Sequence, residues 1–400
     1  MRSVWLLALA ASGCRTLLGI EEPARGDAGP DGFPACATWH PEGFDPCALT
    51  IAATSLSLDG PAYVYDSGVG ALYDASHRTV LQSGQTAQVD GAPVAVLSVG
   101  RLTVAPAAQL TVTGTRPLLI VSWSTITVDG MIDAGSRRMT QPMVVGPGAN
   151  QGCGADAGQD GADATMTGGS GGGGGGAFHG AGGPGGRGGG ASAVPGGTGG
   201  LAGAPLAMRG GCPGGSSGTA GMIATPPAIQ GSRALGGAGG GALRLVAFDS
   251  IDVRGTISAN GAGGAGAPTN SACGGGGGGS GGYLGFEAPI VALAGTITAN
   301  GGGGGGGAGA NGTGNDGSDG TAGTAPAPGG AIAASGCGQA GGAGAAAASL
   351  DGSAASNTDT CSGGGGGGGG ASGFIVITSP GYTGGAATPS PAAQVRGGAD

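Results

Sequence analysis

Lysine is missing from this 400-residue chain, and all 14 basic residues are arginine. Charge of either sign is scarce, at 9% where about 25% is usual for a globular domain. With a formal net charge of -9 and no basic cluster, the sequence lacks the electrostatic footprint of a nucleic-acid binder. The composition also excludes a coiled coil, a helical bundle and a multi-pass membrane protein. Catalytic signatures are equally thin. The three histidines, His40, His77 and His179, have no nearby partner that suggests a nucleophile or a metal site. No Gly-x-Ser-x-Gly elbow, Walker loop or His-Glu-x-x-His occurs. Matches to Gly-x-Gly-x-x-Gly abound in polyglycine, but none follows a strand and opens a helix. No catalytic residue, metal or cofactor is expected.

What the chain has is glycine: 104 residues, with 24 prolines beside them. Average glycine usage is about 7%, so the excess points toward disorder or a fibrous chain until its distribution is mapped. Glycine, alanine and arginine have GC-rich codons and lysine does not, which implies a GC-rich bacterial genome.

The first residues read as an address. Met1-Arg2-Ser3 carries one positive charge, and the apolar stretch Val4 to Ala11 is too short to span a bilayer. Ala11-Ser12-Gly13-Cys14 resembles the lipobox of bacterial lipoproteins. That resemblance implies removal of residues 1–13 as a signal peptide and lipidation of Cys14, an anchor to the membrane. Arg15 follows in place of an aspartate, which favours the outer membrane or cell surface of a Gram-negative cell. Residues 14–49 form a lipidated tether and a small knob, where Cys36 and Cys47 bracket ten residues with two prolines. A disulfide there is favoured over a zinc site using His40.

From residue 50 the text becomes β-like, in short period-two segments. An apolar-x-apolar-x-Gly unit recurs: Leu110–Gly114, Ile126–Gly130, Ile251–Gly255 and Val291–Gly295. The last three continue x-Ile-x-Ala, ending at Ala134, Ala259 and Ala299. The copies are offset by 16, 125 and 40 residues. Repetition of one strand unit predicts an all-β fold, a right-handed parallel β-helix-like solenoid with long glycine-rich loop insertions, with a β-sandwich as the alternative. Asn260 and Asn300 precede glycine, which suits left-handed bends and a stacked asparagine ladder. Phe374–Ile377 looks like one more strand with no complete unit after it, and Pro117–Ser122 aligns in two registers. One solenoid domain over 50–379 and a flexible tail over 380–400 are expected.

The glycine enters at one recurrent point. Three insertions, 138–241, 261–282 and 301–373, each begin after an x-Ile-x-Ala segment and hold 81 of the 104 glycines. The excess therefore belongs to the loops, which should share one edge of the scaffold. Two states stay open for them: disorder, or a bundle of extended polyglycine-II strands. Cys153, Cys212, Cys273, Cys337 and Cys361 all lie in these insertions. Pairing Cys36–Cys47, Cys153–Cys212 and Cys337–Cys361 leaves Cys273 over.

Carbohydrate-active β-helices use clustered carboxylates, and the sequence places Asp129, Asp133, Asp252 and Arg254 at matching repeat positions. Solvent-facing polar residues on alternating strands are the reading preferred for them. Asn311 to Asp319 partly resembles a calcium-binding glycine-rich nonapeptide, and Asp156, Asp160 and Asp163 make a second acidic stretch. Solvated turns are the reading preferred for both. The lipobox, the Gly-Thr-Ile-x-Ala-Asn-Gly units and Gly-Gly-Cys212-Pro-Gly-Gly together resemble bacterial glycine-rich (PGRS-like) surface lipoproteins. The expectation is a non-catalytic structural or adhesive surface protein that contacts extracellular polysaccharide or matrix. A carbohydrate-binding or polysaccharide-degrading β-helix is the alternative.

Overall fold

Short alternating segments form 20 strands, and no α-helix occurs among the described residues. Those residues, in the computed structural model, are 39–50, 54–138, 143–164, 168–190, 193–203, 208–219, 233–269, 271–309, 312–332, 337–356, 362–385 and 387–397. The chain opens with β1 (Leu56–Leu58), then the antiparallel meander β2 (Tyr63–Asp66), β3 (Ala71–Asp74) and β4 (Thr79–Gln82). A hairpin of β5 (Gln85–Val89) and β6 (Ala92–Val99) follows. From β6 onward one order of strands recurs. It runs through β7 (Leu102–Val104) and β8 (Gln109–Thr113), then β9 (Leu118–Ser122), β10 (Thr125–Val128) and β11 (Met131–Asp133). It repeats as β12 (Ala242–Ala247), β13 (Ser250–Val253) and β14 (Thr256–Ser258), and again as β15 (Tyr283–Glu287), β16 (Ile290–Leu293) and β17 (Thr296–Thr298). The last strands are β18 (Phe374–Thr378), β19 (Gly381–Gly384) and β20 (Gln394–Arg396).

Successive strands belong to successive sheets. The first sheet orders as β5-β6-β9-β12-β15-β18-β20, the second as β1-β7-β10-β13-β16-β19, and the third as β4-β3-β2-β8-β11-β14-β17. Apart from the opening hairpin and meander, every pairing is parallel. Like residues therefore meet like residues across each ladder. Leu102, Ile126, Ile251 and Val291 are in register in the second sheet, and Leu110, Ile132, Ile257 and Ile297 in the third. All eight are fully buried in one core to which all three sheets contribute. Each such aliphatic side chain contributes about 1.5–3 kcal/mol of burial.

Several sequence expectations change. Leu110 pairs with Ile132 rather than Ile126, and Leu102 is the true counterpart of Ile126. The second and third sheets share one apolar alternation, so periodicity alone could not assign Leu110 to a sheet. Pro117–Ser122 resolves with Leu118 opposite Leu243. Residues 381–384 and 394–396, expected in a flexible tail, pair with β16 and β18 because Tyr382, Ala387 and Ala393 cover the end of the core. Asn260 and Asn300 do not take left-handed φ, since the neighbouring glycines are also extended there. They are linked through the backbone instead of by stacked side-chain amides: the Asn300 backbone N–H donates to Asn260 Oδ1 (2.8 Å), and Ser390 Oγ donates to Asn300 Oδ1 (2.7 Å).

Residues 39–50 cover the outer face of the first sheet. Trp39 stacks edge-on against Trp123 (5.3 Å, 73°), within a second apolar cluster containing Val96, Leu119, Val121 and Val246. An ion pair between Arg244 and Glu287 crosses that face, both side chains largely buried, and Glu287 Oε1 accepts the Glu42 N–H at 2.9 Å. Burial pushes the Glu287 carboxyl up, and the Arg244 guanidinium only partly offsets it. Arg244→Ala strands that carboxylate, so a loss of about 3–5 kcal/mol is expected in denaturant unfolding.

The three insertions leave after β11, β14 and β17 and rejoin at β12, β15 and β18. The departing ends are adjacent in the third sheet and the returning ends in the first. Backbone bonds clip each return to a departure: Gly241 N–H to Ala134 O (2.8 Å), Gly282 to Ala259 (2.7 Å) and Gly373 to Ala299 (2.7 Å). All three insertions thus leave and rejoin the scaffold at one corner.

Candidate functional site: a glycine lattice

The glycine tracts are ordered, and a period of three organises them. In 169–177, Gly171, Gly174 and Ala177 donate to Ala162, Gln159 and Asp156, an antiparallel neighbour. Gly169, Gly172 and Gly175 donate to Gly189, Gly186 and Gly183 on a second. Ser170, Gly173 and Gly176 donate to Ala272, Gly275 and Gly278 on a third, which runs parallel. The same segment accepts from three more, through Gly197, Gly215 and Gly368 among others. Successive amides turned by 120°, with six neighbours around the segment, are the geometry of polyglycine II, a threefold extended helix with about 3.1 Å rise per residue. Neighbours run in either direction because no side chain enforces a polarity.

Four segments lie inside, and they contain the four uninterrupted glycine runs: Gly171–Gly176, Gly274–Gly279, Gly301–Gly307 and Gly363–Gly370. Each is bonded to six neighbouring segments and all of their residues are buried. Around them, in hydrogen-bonded order, run 155–164, 195–203, 180–189, 350–356, 339–346, 326–332, 312–320, 259–269, 233–241 and 211–219, and the last bonds back to the first. Sterics explain the sorting. A Cβ on Gly172, Gly173, Gly175, Gly277 or Gly367 would overlap a backbone carbonyl oxygen of the next segment. On the perimeter one position in three faces outward, and there side chains return, as in Pro184-Gly-Gly-Arg187 and Pro195-Gly-Gly-Thr198-Gly-Gly-Leu201. That Gly-Gly-x triplet was the readable signal for order, and sequence reasoning passed over it because the triplet lapses between segments.

The acidic stretches serve this lattice. Asp160 Oδ1 accepts the Ser216 N–H (2.7 Å), and Asp163 Oδ1 the Thr219 N–H (2.7 Å). Asp316 Oδ1 accepts from Gly266 (2.7 Å), and Asp319 Oδ1 from Gly263 (2.9 Å) and Arg138 (2.9 Å). Asp156 is ion-paired with Arg209, and Arg233 reaches Asp160 and Asp163. These carboxylates cap perimeter amides, and their spacing of three is the lattice period. Among the described residues no group of His, Cys, Asp and Glu has the arrangement of a metal site, and Asn311 lies outside the described residues. Thr219 hydrogen bonds hold the Asp163 carboxyl below the usual carboxylate range. A depressed folded pKa gives stability above the unfolded value that is lost as pH falls through the folded one. Hydrogen-exchange protection of the Thr219 amide should therefore fall below about pH 4, and Asp163→Asn should weaken it at neutral pH.

The other candidate residues are dispersed. Cys153 and Cys212 are bridged. Cys47 and Cys337 are also disulfide-bonded, while Cys14, Cys36 and Cys361 lie outside the described residues. Cys273 is buried in the lattice beside Ala267 and Ala308. His40 and His77 are exposed; His179 stacks on Phe374 at 4.2 Å, and burial lowers its pKa. Arg254 gathers Asp129 (3.0 Å) and Asp252 (3.1 Å) on the solvent side of the second sheet. One guanidinium thus holds both carboxylates. Asp133 is elsewhere, buried, with Oδ1 accepting from Ser258 Oγ (2.7 Å) and an ion pair to Arg137. It lines a cleft of about 190 Å³ with Asn260 and Asp319, where the third sheet meets the lattice. No family model matches the chain, and no curated protein or solved structure matches it.

Proposed function

We propose that the chain is a non-catalytic, lipid-anchored surface protein, in which a right-handed parallel β-helix carries a rigid glycine lattice as its contact face. The recurring strand order and in-register parallel ladders support the helix, and parallel crossovers are right-handed as a rule. The observation that carries the functional reading is the gathering of all three insertions into one block. A disordered insertion would present many conformations; the lattice holds its outward side chains at fixed spacing, about 9 Å along each segment. Such a face suits a structural or adhesive role against extracellular polysaccharide or matrix. The anchor rests on the Cys14 lipobox, outside the described residues.

Two variants test this reading in the producing cell. Cys14→Ser should abolish palmitate incorporation and release the protein from the membrane fraction; unchanged labelling refutes the anchor. Gly172→Ala in the anchored chain should leave the protein on the cell and reduce cell cohesion or surface attachment. Full attachment with a disrupted lattice refutes the contact role.

A further inference from the structure

The Cys153–Cys212 bridge has unusual company. The Arg209 Nη1 donates to Cys212 Sγ at 2.9 Å and lies 3.9 Å from Cys153 Sγ. Its other terminal nitrogen pairs with Asp156, and the guanidinium sits over the Phe178 ring at 4.4 Å. Three contacts thus fix a positive charge against one particular sulfur. The two residues also differ in exposure. Cys212 is fully buried, whereas Cys153, though buried, keeps 9% of its surface exposed at the lattice margin, among exposed Gln151, Gly152, Gly154 and Ala155.

We propose that this disulfide is a directional thiol-exchange site, and that Arg209 is its positioning residue. A thiolate from a low-molecular-weight thiol or a protein dithiol attacks Cys153 Sγ from solvent. The new bond joins the attacking sulfur to Cys153, the Cys153–Cys212 bond breaks, and its electron pair leaves on Cys212 as a thiolate facing Arg209. A second thiolate then displaces Cys153, taking the reductant to its disulfide and leaving two reduced cysteines. A lower-pKa leaving thiol leaves faster, which is what the guanidinium supplies. Opening the bridge frees a link across 59 residues, leaving 155–164 and 211–219 joined by lattice hydrogen bonds alone.

Glutathione exchange on the purified full chain, read by mass spectrometry, tests this. The mixed disulfide should form on Cys153, and Arg209→Gln should slow its formation ~10-fold while Arg209→Lys restores part of the rate. A variant that merely loosened the lattice would expose the bridge and react faster, so slower exchange isolates the guanidinium. A second measurement is the pH dependence of Cys212 alkylation in the reduced wild type. It should be half-complete below the ordinary thiol value of about 8.5. Adducts on Cys212, or an ordinary Cys212 titration with exchange equal or faster in Arg209→Gln, overturn the proposal.

Discussion

Gly172→Ala is expected to unfold the glycine lattice, while Gly323→Ala leaves it intact. The two positions differ only in what surrounds them. A methyl on Gly172 would overlap the Gly366 carbonyl, and the neighbours on every side are backbone that other hydrogen bonds hold in place. No side chain can rotate away, so the segments must separate. Separation breaks bonds along the whole of 169–177, since its six neighbours are spaced by the same contact. A cost above about 4 kcal/mol follows, in the range reserved for severe overpacking. Around Gly323 nothing lies within 4 Å of an added Cβ. There alanine only restricts the unfolded chain, a gain of up to about 1 kcal/mol. Hydrogen exchange of the glycine amides measures both: Gly172→Ala should abolish their protection and leave that of the strand amides largely in place. Protection equal to wild type would mean that the segments are not in contact.

How much of this was legible depends on what carried the information. The strand scaffold was written in apolar side chains, so Ile126, Ile251 and Val291 could be aligned by eye. The one phase error, at Leu110, arose where two sheets share an alternation and only the partner distinguishes them. The point of insertion was legible for the same reason, because Ala134, Ala259 and Ala299 mark equivalent strand ends. The lattice was not. Its interior has no side chains, and its order resides in which amide faces which carbonyl, a relation between segments up to 195 residues apart, as between Ala371 and Gly176. What leaked into sequence was indirect: unbroken glycine in the four runs that sit inside, outward residues at every third perimeter position, and aspartates three apart. Of the Arg209 cluster only the Cys153–Cys212 pairing was legible, since Arg209, Asp156 and Phe178 converge on it only once the lattice forms.

The threefold register yields the second large effect, and it separates a lattice from a generic close-packed loop. In the run Gly363–Gly370, Gly364, Gly367 and Gly370 donate to Ala308, Gly305 and Gly302, while Gly365 and Gly368 donate to Ser170 and Gly173. Neighbouring amides thus point 120° apart. The C-terminal end of the run is fixed where Phe374 enters β18. One glycine inserted between Gly367 and Gly368 therefore turns every amide before it toward the wrong neighbour. At about 1 kcal/mol for each hydrogen bond lost, and more where a buried N–H stays unpaired, the insertion should cost roughly 3–5 kcal/mol. Three glycines inserted at the same point restore every direction. The extra turn is extruded at the margin, where a longer loop costs only about 0.6 kcal/mol per doubling. Denaturation midpoints for the two insertions should therefore rank against their size, with the triple insertion close to wild type. A smooth decline with the number of residues added would be the behaviour of an unstructured loop, and would remove the threefold lattice from the account of this protein.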